Sequence, residues 1–354
     1  MKALFVTSLS EYSGKNLVLL GLGKRLQEEG YKVGMFKPLG IFPTRVDNIL
    51  TDEDAVFFRK VFGLEDPLEH MCPCVITDSL IEDLLEGEAE DCAVRIKESF
   101  AKISRGKDVV LVESLGGLSY GNFVGVPFES LVKELDGKAI SVDVPRWVHQ
   151  ALDGVLDLRK RLGEAYLGAV FNKVKHGRME FLTGSVTSYL AKQGVDVLGV
   201  IPEDPLLASV SVREVKDSLG GEVVCCPDKM ENLVERFTIG AMNVEGALRY
   251  MRKIRNKAVI VGGDRSDIQL AALETSTACL ILTGDLHPNE LILSKSTAAA
   301  VPILVVKGDT ASVVEKVESL LGHLSLRSES KVARAVEIVK KEIQFDKILK
   351  GLGI

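Results

Sequence analysis

Apolar residues along this chain come in short unbroken runs, separated by longer stretches with helical spacing. The runs are Ala3 to Val6, Val33 to Phe36, Val109 to Val112, Ala139 to Val142, Gly168 to Phe171 and Val197 to Val200. Between them lie segments such as Lys15 to Glu29 and Arg146 to Leu162, where the pattern is helical. A run that is apolar at every position suits a strand buried on both faces, and helical crossovers between successive strands require parallel pairing. The pattern predicts an α/β fold, a parallel sheet covered by helices.

The alternation breaks over Ile201 to Asp217, where IPEDP brings two prolines among acidic residues, and it restarts after Gly220-Gly221. Residues 1–215 therefore read as a first domain and residues 216–322 as a second, smaller α/β domain. Its expected strands are Glu222 to Cys225, Ala258 to Val261, Cys279 to Leu282 and Ile303 to Val306. Helices are expected near Val244 to Arg252, Asp267 to Glu274, Pro288 to Lys295 and Ala311 to Leu320. Residues 323–354 form a helical tail rich in Lys and Glu. Its stripe of Val332, Val336, Val339, Ile343, Ile348 and Leu349 is expected to dock on a neighbour or on a second copy of the chain.

Composition narrows the function. A length of 354 residues exceeds what one core usually serves, in keeping with two domains. A net charge of −6 gives no footprint for DNA, other nucleic acid or an anionic membrane, so any phosphate binding has to be local. With no export signal and no run of about 18 apolar residues, a cytoplasmic protein is expected. The six cysteines, Cys72, Cys74, Cys92, Cys225, Cys226 and Cys279, lack C-x-x-C spacing and read as reduced thiols.

The chemistry begins at the first strand, which leads into Thr7-Ser8-Leu9-Ser10-Glu11-Tyr12-Ser13-Gly14-Lys15-Asn16 and then a helix. A strand, a loop of small residues, Gly-Lys and a helix N-terminus together make a phosphate cradle, because backbone N–H groups and the helix dipole face the anion. Ser13, Gly14, Lys15 and Asn16 are the nucleotide-binding candidates. Two departures weaken the case for hydrolysis. Ser8 or Leu9 stands where such a loop opens with glycine, and Asn16 stands where a hydroxyl usually meets Mg²⁺. An amide oxygen can ligate magnesium but cannot both ligate and donate.

Three further segments follow in order. Lys37-Pro38-Leu39-Gly40 closes the second strand, and Asp52-Glu53-Asp54-Ala55 opens a helix. The run Val109 to Glu113 then ends in a carboxylate followed by Ser114-Leu115-Gly116-Gly117. Parallel strands present their C-terminal ends on one edge, so these groups should converge near the phosphate loop. Each also has a structural role open to it: Lys37 as a solvated strand end, Asp54 as a helix cap, Glu113 as a buried partner of a lysine.

On SGK, FKPLG, DEDA and VESLGG, residues 1–215 resemble the dethiobiotin synthetase family, and more closely the dethiobiotin-synthetase-like region ahead of some phosphotransacetylases. The resemblance implies a P-loop NTPase-like sheet that binds ATP and Mg²⁺. It implies phosphate and catalytic roles for Lys15, Lys37 and Glu113, and a magnesium set of Asn16, Asp54 and Glu113, with Asp52 as the competing aspartate. It implies that Asn172 reads the adenine edge. Ile41 and Phe42 replace a small polar residue after Gly40, and Tyr12 replaces an acidic one. Biotin synthesis is not expected.

Residues 237 to 310 are similar to the DRTGG domain, with VIVGGDRSDIQLAALETS and LILTGD as the matching stretches. Asp264, Arg265 and Thr283 are its candidate ligand residues, and Asp285 replaces the last glycine of the family motif. The leading expectation is a regulatory or accessory nucleotide-binding protein whose partners are a nucleotide, a small metabolite and further copies of itself. The alternative is an ATP-dependent carboxylate-activating synthetase, similar to the dethiobiotin and cobyrinic acid diamide synthetases. Whether the chain is an enzyme stays open. Phosphate acetyl transfer is set aside, since only about 30 residues follow the second domain.

Overall fold

The computed structural model divides into two units, Met1–Glu203 together with Leu326–Ile354, and Asp204–Ser325. It describes every residue except Glu11, 88–90, 115–119, 323–325 and Arg327, and it leaves out the side chains of residues 318–322. Glu11 of the phosphate loop and the Leu115-Gly116-Gly117 turn thus lie outside the described residues. Among the described residues, no helix is long and apolar enough to cross a membrane.

In the first unit, strand β1 (Lys2–Thr7) leads to helix α1 (Lys15–Glu28) and then β2 (Val33–Phe36). A hairpin follows, β3 (Pro43–Val46) and β4 (Ile49–Asp52), then helix α2 (Glu53–Phe62). Besides the short parallel pair Leu39–Gly40 and Cys74–Val75, the unit has strands β5 (Val109–Glu113), β6 (Gly137–Asp143), β7 (Tyr166–Val174) and β8 (Val197–Pro202). One sheet runs in the order β8-β7-β6-β1-β5-β2 with every pair parallel. The six apolar runs are these six strands, and β5 is buried at every position, as a strand covered on both faces requires. In register, Val6 lies opposite both Glu113 and Ile140, so the loop after β1 leaves the sheet between Glu113 and Asp143.

The hairpin is the part of this unit that apolar periodicity does not announce. Its first strand is largely exposed, and it turns through Asp47 and Asn48, both with positive φ (49° and 63°). That is the two-residue turn whose twist matches antiparallel strands. It ends on Asp52, which is fully buried and caps α2 by accepting from the Asp54 amide.

The second unit is a five-stranded sheet of β9 (Glu222–Cys225), β10 (Arg236–Ile239), β11 (Lys257–Gly262), β12 (Thr277–Thr283) and β13 (Ile303–Val305). The order is β9-β13-β12-β11-β10, parallel except that β9 pairs antiparallel with β13. Ala258 and Ile260 face one apolar cluster while Val259 and Val261 face another, so both faces are covered. Strand β10 lies outside the expected set because only Thr238 in it is buried. Helix α3 (Glu290–Ala299) precedes β13.

The chain then returns to the first unit with α4 (Glu329–Glu342) and α5 (Phe345–Leu352). The tail docks on its own unit. Ala335, Ile338 and Val339 are its buried face, where a Cβ added at Gly21 of α1 would lie 2.3 Å from that of Val339. The Gln344 amide donates to the Leu198 carbonyl at 2.7 Å, fastening the tail to β8. This explains why α1 buries Leu17, Val18, Leu19, Leu20, Leu22 and Leu26 almost all round: it lies between the sheet and α4.

Candidate functional site

The phosphate loop is shaped by its backbone. Gly14 caps α1 with φ 91° and ψ 32°, and its carbonyl accepts from the Leu17 amide at 3.1 Å. Glycine is required twice over here, since a Cβ would also sit 2.1 Å from Asn172 Nδ2. Asn172, at the end of β7, donates from Nδ2 to the Ser13 carbonyl (2.8 Å) and accepts at Oδ1 from the Lys173 amide (2.8 Å). Lys173, itself at φ 53°, donates from Nζ to the Tyr12 carbonyl at 2.9 Å. Asn172 and Lys173 therefore hold the loop, and these two bonds use one of the two N–H groups and one of the two oxygen lone pairs of the Asn172 amide.

On the other side, the Leu9 amide donates to Asp143 Oδ1 at 2.6 Å. Asp143 ends β6 and was not singled out from the sequence. Its signal there is a polar residue closing the buried run Ala139 to Val142. Burial raises its carboxyl to about 6, against the pull of the Leu9 bond, Ser141 and Lys15. The hydroxyls of Thr7, Ser8 and Ser13 and one oxygen each of Glu113 and Asp143 are buried without a hydrogen-bond partner. Buried polar atoms left unmatched in this number around one loop suit a polar occupant.

Beside the loop sits a buried charge cluster. Lys37, 2% exposed, places Nζ 2.8 Å from Asp52, 2.5 Å from Asp54 and 3.4 Å from Glu113. Asp52 does three jobs at once: Oδ1 takes Lys37 and the Asp54 amide, while Oδ2 accepts from the Ile41 and Phe42 amides, each at 2.9 Å. It is thus the structural aspartate, and Asp54, 20% exposed, is the one left partly open. Asn16 donates to Asp54 at 2.9 Å, which leaves its amide oxygen as the atom able to ligate a metal.

The charges shift one another. Burial lowers Lys15, Glu113 opposes that and the neighbouring Lys37 adds to it. Burial would lower Lys37 as well, but Glu113, Asp54 and Asp52 outweigh it and hold its ammonium raised. Burial pushes Glu113 up to about 8 in spite of Lys37. Among the described residues no trio of His, Cys, Asp and Glu forms a preformed metal cage. Magnesium at nucleotides uses one or two carboxylates plus phosphate oxygens, and Asp54 with Glu113, one of whose oxygens is orphaned, offers that hard set.

In the second unit, β11 and β12 pair Gly262 with Thr283, so Asp264, Arg265 and Thr283 meet at one sheet edge. Arg265 is committed to Asp267 through two bonds of 3.0 and 3.1 Å and also donates to the Met242 carbonyl at 3.3 Å. The Thr283 hydroxyl pairs with that of Thr310 at 2.9 Å. Gly263 permits close approach, because a Cβ there would lie 2.4 Å from the Leu286 carbonyl.

Residues 2–211 match the AAA domain and residues 214–320 the DRTGG domain. The phosphate acetyltransferase of Synechocystis sp. is 24% identical over 99% of this chain and 52% of its own length. That of Nitratidesulfovibrio vulgaris is 25% identical over 98% and 51%. The ATP-dependent dethiobiotin synthetase of Methanococcus vannielii is 26% identical over 56% of this chain and 92% of its own length. The chain spans about half the length of the phosphate acetyltransferases it matches.

Proposed function

The chain belongs to the AAA domain family, and from that premise we propose that it binds ATP with Mg²⁺ at Lys15 and acts as a regulatory or accessory nucleotide-binding protein. The observation that carries this reading is the buried cluster around the loop. Two ammonium groups, Lys15 and Lys37, face four carboxyls, Asp52, Asp54, Glu113 and Asp143. A site of that balance repels a polyphosphate unless a divalent cation accompanies it. Asn16, Asp54 and Glu113 would hold that Mg²⁺, which would neutralise phosphate charge. Lys15 and the first-turn amides of α1 would bind and orient the phosphates.

A regulatory role is favoured over carboxylate activation by Asn16, which stands where a hydroxyl usually meets Mg²⁺ and whose side-chain N–H₂ is taken by Asp54. The second unit is assigned metabolite binding and self-association, with Asp264, Arg265 and Thr283 at the ligand edge. By relation to phosphate acetyltransferases, the process it serves is acetyl–phosphate chemistry.

Titration calorimetry with ATP and ADP, with and without Mg²⁺, on the wild type and on Lys15→Ala tests this. The expected result is Mg²⁺-dependent ATP binding that the variant loses. A wild type that binds neither nucleotide overturns the reading. Rapid ATP turnover driven by an added carboxylate and abolished in Lys15→Ala would transfer the site to the synthetase class.

A further inference from the structure

Cys225 ends strand β9 and Cys226 follows it directly, with their sulfurs 3.2 Å apart. In an extended strand successive side chains point to opposite faces. The alternation is cancelled here because Cys226 takes the left-handed backbone region, φ 52° and ψ 54°, which is strained for a residue with a Cβ. Two contacts from α3 complete the setting: the Thr297 hydroxyl is 3.4 Å from Cys225 Sγ, and Cys226 Sγ donates to the Ser296 carbonyl at 3.8 Å. Cys225, 8% exposed, and the half-buried Cys226 are the most open of the thiols, since Cys72, Cys74, Cys92 and Cys279 are at most 3% exposed.

We propose that Cys225 and Cys226 form a reversible peroxide-responsive dithiol, which closes to a disulfide between adjacent residues. The Cys225 thiolate attacks hydrogen peroxide, breaking the O–O bond to give a sulfenic acid and hydroxide. The Cys226 sulfur then attacks the Cys225 sulfur, its proton leaves with the displaced hydroxide as water, and the S–S bond forms. Two thiols and one peroxide thus yield one disulfide and two waters. Hydrogen bonding from the Thr297 hydroxyl prepares the first step, holding the Cys225 thiol below its usual range against the effect of burial, while burial pushes the neighbouring Cys226 thiol up to about 11. Adjacent residues hold their Cα atoms closer than an ordinary disulfide does, so the product is of the strained, easily reduced kind. Closure also removes the thiol proton that binds Cys226 to Ser296, releasing the end of β9 from α3.

Treating the full chain with hydrogen peroxide under native conditions, then alkylating, digesting and weighing the peptides, reads this out. The expected result is a peptide holding both cysteines that is two hydrogens lighter and unalkylated. This is a loss of two of the six titratable thiols, restored by dithiothreitol. In Cys226→Ser, dimedone should instead trap Cys225 as a sulfenic acid. The proposal fails if both cysteines stay alkylable at peroxide levels that oxidise exposed methionine. It fails equally if wild type and Cys226→Ser carry the same dimedone adduct. Should the variant not fold, the wild-type peptide mass decides alone.

Discussion

Glu113 carries the most informative proton in the site. Burial raises its carboxyl from 4.5 to about 8, so at pH 7 the ligand-free chain holds it mostly protonated. Magnesium favours the carboxylate form, and binding Mg²⁺ with ATP at pH 7 should therefore release about one proton. Calorimetry in two buffers of different ionisation enthalpy would show it as a buffer-dependent heat, absent in Glu113→Gln. The same shift has a stability consequence of fixed sign. A folded pKa above the unfolded one gives stabilisation that is full below pH 4.5 and is lost as pH rises through about 8. Thermal melts should thus show Glu113→Gln gaining on the wild type between pH 5 and pH 9. Lys37→Met is the opposite case: it strands the Asp52 and Asp54 carboxylates around an apolar end and should destabilise by about 3–5 kcal/mol in urea unfolding. A loss below about 1 kcal/mol would mean that the two carboxyls simply protonate or take up water.

At the level of elements, the close crossing of α1 and α4 depends on Gly21. A Cβ there would lie 2.3 Å from Val339 Cβ, so Gly21→Ala should destabilise by about 1–3 kcal/mol in chemical denaturation. Adding Val339→Ala should recover part of that loss, and strict additivity of the two changes would refute the contact. This crossing also marks where sequence reading stops. The six buried strands were legible because each carries a short, mainly apolar run, and the phosphate loop was legible because Gly-Lys follows a strand. Half of the tail's stripe was legible, since Val339, Ile343 and Ile348 are buried while Val332, Val336 and Leu349 are only partly so, but its partner was not, since the surface that covers Val339 belongs to α1 near the other end of the chain. The hairpin from Pro43 to Asp52 escaped because its outer strand is largely exposed. Asp143 and the clamp by Asn172 and Lys173 escaped for another reason: only the fold brings their strand ends to Leu9, Tyr12 and Ser13.

At the scale of the whole molecule, each unit carries its own nearly inaccessible lysine, and the two can be used to separate the units' stabilities. Lys257 is fully buried in the second unit, where its ammonium donates to the Thr275 hydroxyl and Ser276 carbonyl at 2.8 Å and to the Ile254 carbonyl at 3.3 Å. Burial lowers it from 10.5 to about 8, so between those values the unfolded chain holds the extra proton and the unit gains stability as pH rises. Lys257→Met removes that gain and leaves acceptors unmatched, a destabilisation of about 1–3 kcal/mol that should grow as pH rises from about 8 to 10.5. A ligand that binds only the folded first unit acts on the other half of the chain, adding about 2.7 kcal/mol at a hundredfold excess over its Kd. Amide exchange read by mass spectrometry resolves the two effects. Mg²⁺-ATP should slow exchange in Met1–Glu203 and in the returning helices α4 and α5, while Lys257→Met should speed it in Asp204–Ser325. If the nucleotide protects both units equally, they unfold as one body and the bound state extends into the DRTGG unit. If it protects the first unit alone, regulation of the second must pass through a ligand of its own, at the edge formed by Arg265 and Thr283.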